Sequence, residues 1–332
     1  MESRFKPAKR ENVGLWVNMI GGTGSGKTFS SFRLASGIAG DKPFAVIDTE
    51  NRRALHYADQ FKFDHAELRA PFRPDAYSEA ITEADKAGYP VIVVDSGSHV
   101  WAGDGGMLAW QEDELDRMAG NDYAKRERVK MAAWIAPKKS HKQMVSKMLQ
   151  VKAHLILCLR AEQKIEMVKG ADGKLVVQAK KSLTGLDGWI PVCDKNLPFE
   201  ATCSFLLMAD NPGIPHPIKL QEQHKALFPL DKPITEESGR RLAEWASGAT
   251  KTAAPQVTSH SIASTHSGTP ADAAATITIQ QAVDLEVLML DHKVTQAQLY
   301  KAMTKAGAPP FVRLTDIPAD FYGRAVKFVE AH

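Results

Sequence analysis

Gly21-Gly22-Thr23-Gly24-Ser25-Gly26-Lys27-Thr28 fits the pattern G-x-x-x-x-G-K-[ST] in full. Glycines at this density let several backbone N–H groups converge on phosphate oxygens. A helix opening directly behind them adds its positive dipole end. Lys27 is spaced to reach the outer phosphates of ATP, and Thr28 to ligate Mg2+ through its hydroxyl. The metal also needs an acid at the end of an apolar strand, and Val91-Ile92-Val93-Val94-Asp95 supplies it. Hydrolysis needs a group that orients or deprotonates the attacking water. Phe44-Ala45-Val46-Ile47-Asp48-Thr49-Glu50 offers two. Glu50, just past the apolar run, is the first choice. Asp48 is its rival, or a helper that orients the loop. Lys27, Asp95 and Glu50 thus form the expected catalytic set, with ATP and Mg2+ as the expected ligands.

These groups can meet only if a sheet carries them to one edge. Leu15–Ile20 reads as a strand and the segment from Lys27 to about Gly37 as a helix. Phe44–Asp48 and Val91–Asp95 read as strands, with a helix over Ala76–Ala87 between them. Met107 to Gln150 is largely helical by pattern, and Ala153–Arg160 is a strand. Ile165–Val168 and Leu175–Ala179 flank a glycine-containing turn and predict a hairpin. Ala201–Met208 and Pro217–Gln221 are late strands. Short continuous apolar strands alternating with helices predict an α/β fold whose mostly parallel central sheet is covered on both faces.

The 332 residues suit roughly two domains at about 100–200 residues each. With 44% apolar and 24% charged residues, the composition excludes collagen, coiled coil and wholesale disorder. No apolar run approaches the roughly 18–20 residues of a membrane span. Residues 1–10 are polar and basic, without the apolar stretch of a secretory signal. Cys158, Cys193 and Cys203 form no close pair in sequence. These features predict a cytoplasmic protein without a membrane partner. Residues 248–276 are mostly Ala, Ser, Thr, Gly, Pro and His, the composition of a flexible linker. The expected division is a tail over 1–13, a core over 14–247, that linker, and a small helical domain over 277–332.

The order and spacing of Gly26-Lys27-Thr28, Ile47-Asp48-Thr49-Glu50 and Val93-Val94-Asp95-Ser96 resemble the ATPase core of the RecA/RadA recombinases. The short core and helical tail are most similar to phage-encoded RecA-like ATPases of single-strand annealing recombination. The resemblance implies a RecA-like P-loop fold and a homo-oligomer, ring or filament, with ATP sites between subunits. It also implies single-stranded DNA as partner and a bacterial host cytoplasm as location. Glu50 would activate water, and a neighbouring subunit would supply a cation, for which Lys219 and Lys225 are the candidates by chain position. In the family a polar residue after the strand that follows Asp95 senses the terminal phosphate. Here Arg160 stands at the strand end and Gln163 three residues on, a departure from the family's usual glutamine. Arg160 has a plainer use, pairing with Glu162 or Glu166. Phe5-Lys6-Pro7-Ala8 resembles the Phe-x-x-Ala tether of RadA-type subunits.

Charge supports a polyanion partner. From Tyr123 to Lys181 there are 15 Lys and Arg against 4 Asp and Glu, in a chain whose net charge is +3. In the family a loop at the place of the hairpin contacts DNA, which makes Lys164, Lys169, Lys174, Lys180 and Lys181 nucleic-acid candidates, with Trp189 beyond them. Lys138, Lys139 and Lys142 form a second candidate surface. Solvated lysines on exposed elements are the plainer reading. Three functions follow: a DNA-dependent recombination ATPase; an ATP-switched interaction protein, such as a helicase loader, whose C-terminal domain recruits a protein partner; and a small-molecule kinase with Arg126 and Arg128 in a lid.

Overall fold

The computed structural model describes residues 7, 8, 10, 13–169, 175–182, 185, 187–248, 277, 281, 284, 285, 288, 289, 292, 294–308, 314 and 317–331. Phe5 and Lys6 of the expected tether, Lys174, and the expected linker past Gly248 lie outside the described residues. The chain divides into two units, Met1–Ala254 and Pro255–His332.

In the larger unit the elements run β1 (Trp16–Gly21), α1 (Lys27–Ala39), β2 (Phe44–Asp48), β3 (Phe63–Glu67), α2 (Pro74–Lys86) and β4 (Val91–Asp95). Four helices follow: α3 (His99–Ala102), α4 (Met107–Ala119), α5 (Tyr123–Val129) and α6 (Ile135–Met148). Then come β5 (His154–Gln163), β6 (Ile165–Lys169), β7 (Leu175–Ala179), β8 (Trp189–Pro191), α7 (Leu197–Glu200), β9 (Cys203–Leu207), β10 (Pro215–Lys219) and α8 (Glu236–Ala246). The central sheet has the order β10-β9-β1-β5-β4-β2-β3, with β8 paired to the end of β5. Five of these neighbour pairs are parallel; β10 with β9 and β8 with β5 are antiparallel. β6 and β7 form a separate antiparallel ribbon.

The strands are apolar along their whole length because both faces of the sheet are buried. Alternate residues feed two cores. Val17, Met19, Val46, Val93 and Ile156 pack with Phe32, Leu34 and Ile38 of α1 and Leu242 of α8. Trp16, Ile20, Ile47, Val94 and Leu157 pack with Tyr77 and Ile81 of α2 and Met144 and Met148 of α6. The one polar residue inside β1, Asn18, is fully buried but satisfied: it accepts from Trp16 Nε1 at 2.7 Å and donates to Ser204 Oγ at 3.1 Å. The sheet therefore holds its loops rigidly at the C-terminal edge of the parallel strands, where β1 gives way to the glycine loop.

β3 and α8 are among the elements that escaped the sequence reading. β3 is a polar edge strand, Phe-Asp-His-Ala-Glu, with no apolar run to betray it. α8 carries Gly239 in its middle, a residue that disfavours helix. Packing explains that glycine. A Cβ there would lie 2.2 Å from Leu34 O, and one on Gly37 of α1 would lie 1.9 Å from Glu236 O. The two helices cross at near backbone contact, and Arg33 clamps the crossing with hydrogen bonds of 2.7–3.0 Å to Glu236.

The smaller unit has its own core, including Leu285, Met289, Leu299, Met303, Ile317 and Val329. The helix Gln296–Lys305 begins with a capping box between Thr295 and Gln298. The last helix, Tyr322–Glu330, follows a 3-10 turn over Ala319–Phe321. Among the described residues no helix is long and apolar enough to cross a membrane.

The α1–α8 crossing yields a stability test. Gly239→Ala forces a methyl into the Leu34 carbonyl and is expected to cost about 1–3 kcal/mol, the range for overpacking a filled interior. Urea unfolding followed by circular dichroism measures it; an unchanged midpoint contradicts the close crossing.

Candidate functional site

The loop between β1 and α1 wraps a cavity of about 780 Å³. Every residue from Gly21 to Thr28 lines it. Gly24 (φ 75°) and Gly26 (φ 81°) hold left-handed backbone in this loop, a conformation other residues resist. Lys27 Nζ donates to Gly22 O at 2.7 Å, and Ser25 Oγ donates to the same carbonyl at 2.9 Å. Burial pulls the Lys27 ammonium below its usual pKa, opposed by the nearby Asp95 and Glu50 carboxylates.

β1 and β4 are not neighbours, since β5 runs between them. Asp95 still reaches the loop: Thr28 Oγ1 donates to Asp95 Oδ2 at 2.6 Å across the end of the sheet. Burial pushes the Asp95 carboxyl up to about 6, against the Thr28 hydrogen bond, which lowers it. A buried carboxylate with a raised pKa beside a hydroxyl is an oxygen pair that gains by taking a divalent cation. Thr28 and Asp95 therefore fit Mg2+.

Glu50 and Asp48, the two acids after β2, divide cleanly. Asp48 is fully buried and committed. Its Oδ1 accepts from Glu50 N at 2.7 Å; its Oδ2 accepts from Ala54 N at 2.9 Å and lies 3.2 Å from His65 Nε2. Asp48 thus orders the loop that carries Glu50, and it does not line the cavity. Glu50 does. Its Oε1 lies 2.6 Å from Arg160 Nη2 and 3.8 Å from His99 Nε2, and its Oε2 lies 3.4 Å from Arg53 Nη1.

That pairing corrects the alternative partners expected for Arg160. It binds Glu50, not Glu162 or Glu166; Glu162 lies 3.4 Å from Lys164 instead. Arg160 sits on the cavity wall. Gln163 does not: it is exposed near the hairpin, paired with Trp189 of β8.

Other expected residues lie away from this chain's cavity. Lys219 Nζ donates to Phe199 O at 2.6 Å on the edge strand, and Lys225 pairs with Glu222 at 2.6 Å. Lys138, Lys139 and Lys142 are exposed on α6, with Lys138 over the Trp134 ring at 5.5 Å. Lys164, Lys169, Lys180 and Lys181 are exposed on or beside the ribbon. Arg126 is bound to Glu112 and Asp116 of α4, and Arg128 Nε to Ala124 O at 3.2 Å, which leaves neither in a lid over the cavity.

Sequence reasoning missed several residues at the site. His99 Nδ1 is 2.8 Å from Thr49 Oγ1, and its ring packs on Phe72 at 5.0 Å. Burial, then the Arg160 charge, lowers its pKa and keeps it neutral at pH 7. Phe29 and Tyr57, with ring centroids 6.1 Å apart, form an aromatic wall of the cavity beside Arg53 and His56. Only the helical offset of Phe29 from Thr28 was a usable signal. Tyr57 and His99 are brought in by a 3-10 turn and by α3, elements the pattern did not reveal.

The strand order, the glycine loop and the Thr28–Asp95 pair define a phosphate-binding-loop α/β fold. No family model and no curated protein matches the sequence. Among solved structures, the chain is similar to a KaiC-like protein from the hyperthermophilic archaeon Pyrococcus horikoshii OT3. The identity is 17%, over 59% of this chain and 72% of that one, with a TM-score of 0.30.

The Asp95 environment predicts a pH signature. A raised carboxyl pKa means that protonation of Asp95 stabilises the fold below the ordinary value of 3.8, and that this contribution is lost as pH rises through about 6. Without Mg2+, Asp95→Asn is therefore expected to melt higher than wild type at pH 7, with the gap closing toward pH 4. Thermal melts across that range measure it. A variant melting lower at pH 7 contradicts the account.

Proposed function

We propose that the protein is a Mg2+-dependent ATPase of the RecA-like class, which binds single-stranded DNA, assembles with copies of itself and serves recombination or annealing. The observation that carries the ATPase reading is the convergence of Lys27, the Thr28–Asp95 pair and Glu50 on one cavity. The loop amides and Lys27 hold the phosphates, and Phe29 and Tyr57 offer the base an aromatic wall. Thr28 and Asp95 hold Mg2+, which when bound neutralises phosphate charge. Glu50, oriented through Asp48, takes the proton of the attacking water. In the described state Arg160 holds the Glu50 carboxylate. Arg160 is about half exposed, with a side-chain exposure of 49%, so that pair is weak, about 0–1 kcal/mol. Arg160 moves readily to the more strongly charged terminal phosphate, and Glu50 is freed.

The DNA reading rests on the lysines of the ribbon, which is rooted where β5 leaves the cavity wall. On this reading a neighbouring subunit completes the site with a cation, for which Lys219 and Lys225 remain the candidates. A second reading has a specific observation behind it. Ile165, Met167, Leu175 and Val177 share one face of the ribbon and are each more than half exposed, at 71%, 71%, 67% and 59%. Aliphatic side chains suit a protein surface better than stacked bases, which prefer aromatics. That favours an ATP-switched interaction protein such as a helicase loader.

Phosphate release with and without single-stranded DNA separates the two. The recombinase-like reading expects DNA to stimulate turnover, and Glu50→Gln to lower it on the order of 10²–10⁴-fold while ATP still binds. Slow turnover indifferent to DNA supports the switched interaction protein. Undiminished turnover in Glu50→Gln contradicts the assignment of the base.

A further inference from the structure

The glycine loop is joined to the β6–β7 ribbon by a contact outside the phosphate-binding set. A Cβ on Gly22 would lie 3.0 and 3.2 Å from two ring carbons of Trp189. The indole thus rests on the Gly22 backbone, and a larger residue there would have to push the ring aside by a few tenths of an ångström. Gly22 is also the residue whose carbonyl takes both Lys27 Nζ and Ser25 Oγ. Any ligand that draws the Lys27 ammonium away removes one of the two donors that hold that carbonyl.

Trp189 continues directly into the root of the ribbon. Its neighbour Gly188 makes two backbone hydrogen bonds there, Lys164 N to Gly188 O at 2.8 Å and Gly188 N to Lys180 O at 2.7 Å, and Lys180 N to Lys164 O at 2.9 Å closes the ring. These tie the first residue before β6, the first after β7 and the residue before β8 into one knot. Ser182 Oγ donates to Trp189 O at 3.0 Å, fixing the segment after the ribbon to the same strand. On its other side Trp189 pairs with Gln163 at the end of β5. Among the described residues, the ribbon pairs with no other strand beyond the knot. Its described residues are mostly exposed, so its orientation is set at the root.

We propose that Trp189 is a positioning residue that couples the state of the glycine loop to the orientation of the β6–β7 ribbon. This rests on the nucleotide-binding reading of the cavity. A change at Lys27 alters the Gly22 carbonyl, the Gly22 backbone bears on the indole, and the indole moves with the Gly188 knot. The ribbon, with its lysines and aliphatic face, is then presented differently to a partner when nucleotide is bound. The route runs through β8, which pairs with the end of β5 just past Arg160, and needs no change at Glu50.

The test uses the full chain with Mg2+ and a non-hydrolysable ATP analogue at saturation, occupancy being verified by direct binding. Amide hydrogen exchange of the ribbon and its root is read with and without nucleotide. The same samples are digested briefly with trypsin, which cuts at the ribbon lysines. In wild type, nucleotide is expected to change exchange and cleavage there by about fivefold or more, the lower end of ordinary coupling between sites. Trp189→Ala, loaded with the same analogue, is expected to lose that dependence, and Trp189→Phe, which keeps a ring on Gly22, to retain it. A wild-type protein that binds nucleotide while the ribbon stays unchanged overturns the coupling by itself, whether or not the alanine variant folds. Dependence that survives intact in Trp189→Ala also overturns it. Failure to bind nucleotide at all overturns the functional reading instead, so the two failures are told apart.

Discussion

Two carboxylates buried side by side at the end of a parallel sheet set the terms for everything around them. Asp48 closes β2 and Asp95 closes β4, directly opposite in the register of the pair. Charge in such a place is costly unless it is hydrogen-bonded or coordinated. Asp48 meets the cost within the chain, with two backbone donors and an imidazole at its oxygens. Asp95 takes one side-chain hydrogen bond, from Thr28, and its pKa climbs to about 6. The same side chain on neighbouring strands is thus structural in one case and unspent in the other. The difference lies in the loops: the one after Asp48 turns back over its own carboxylate, whereas Asp95 faces the start of α1.

The organisation of the site follows. Because Asp48 is consumed in shaping its loop, Glu50 is held on the cavity wall with only side chains for partners. Those partners, Arg160 and Arg53, are long and partly exposed, with His99 neutral beside them. This is a group restrained cheaply and released cheaply, unlike Asp48. The wall opposite is built by the glycine loop, whose shape is fixed by internal hydrogen bonds to Gly22 O and by the indole that covers Gly22. A rigid sheet thereby carries a hydrogen-bonded loop, a buried acid and a movable acid within one cavity.

Much of this could be read from residue types. The glycine loop declares itself by pattern, and an apolar run ending in Asp marks β4. The two cores follow from strands apolar on both faces, which require helices on each side. Glu50 was legible because it falls two residues past the end of β2, and the structure distinguishes it from Asp48 through burial that no pattern reports. Other features have no sequence signal. The Arg160–Glu50 pair joins residues 110 positions apart, and spacing alone pointed to the nearer Glu162 and Glu166. Gln163 was attractive by type, but antiparallel pairing with β8 turns that stretch of β5 into the ribbon's root. Tyr57 and His99 depend on short turns that hydrophobic periodicity cannot resolve. Gly239 argued locally against the helix that contains it, because the argument for it is a crossing with α1.

The central claim is that Thr28 and Asp95 form a cation seat beneath a nucleotide held by the glycine loop. Calorimetric titration of ATP into the full chain at neutral pH, once with Mg2+ and once with a chelator, tests it most directly. The account predicts binding that is markedly tighter with Mg2+, with the advantage of the metal lost in Thr28→Val. Equal affinity with and without Mg2+, or no binding of ATP in either condition, would contradict it.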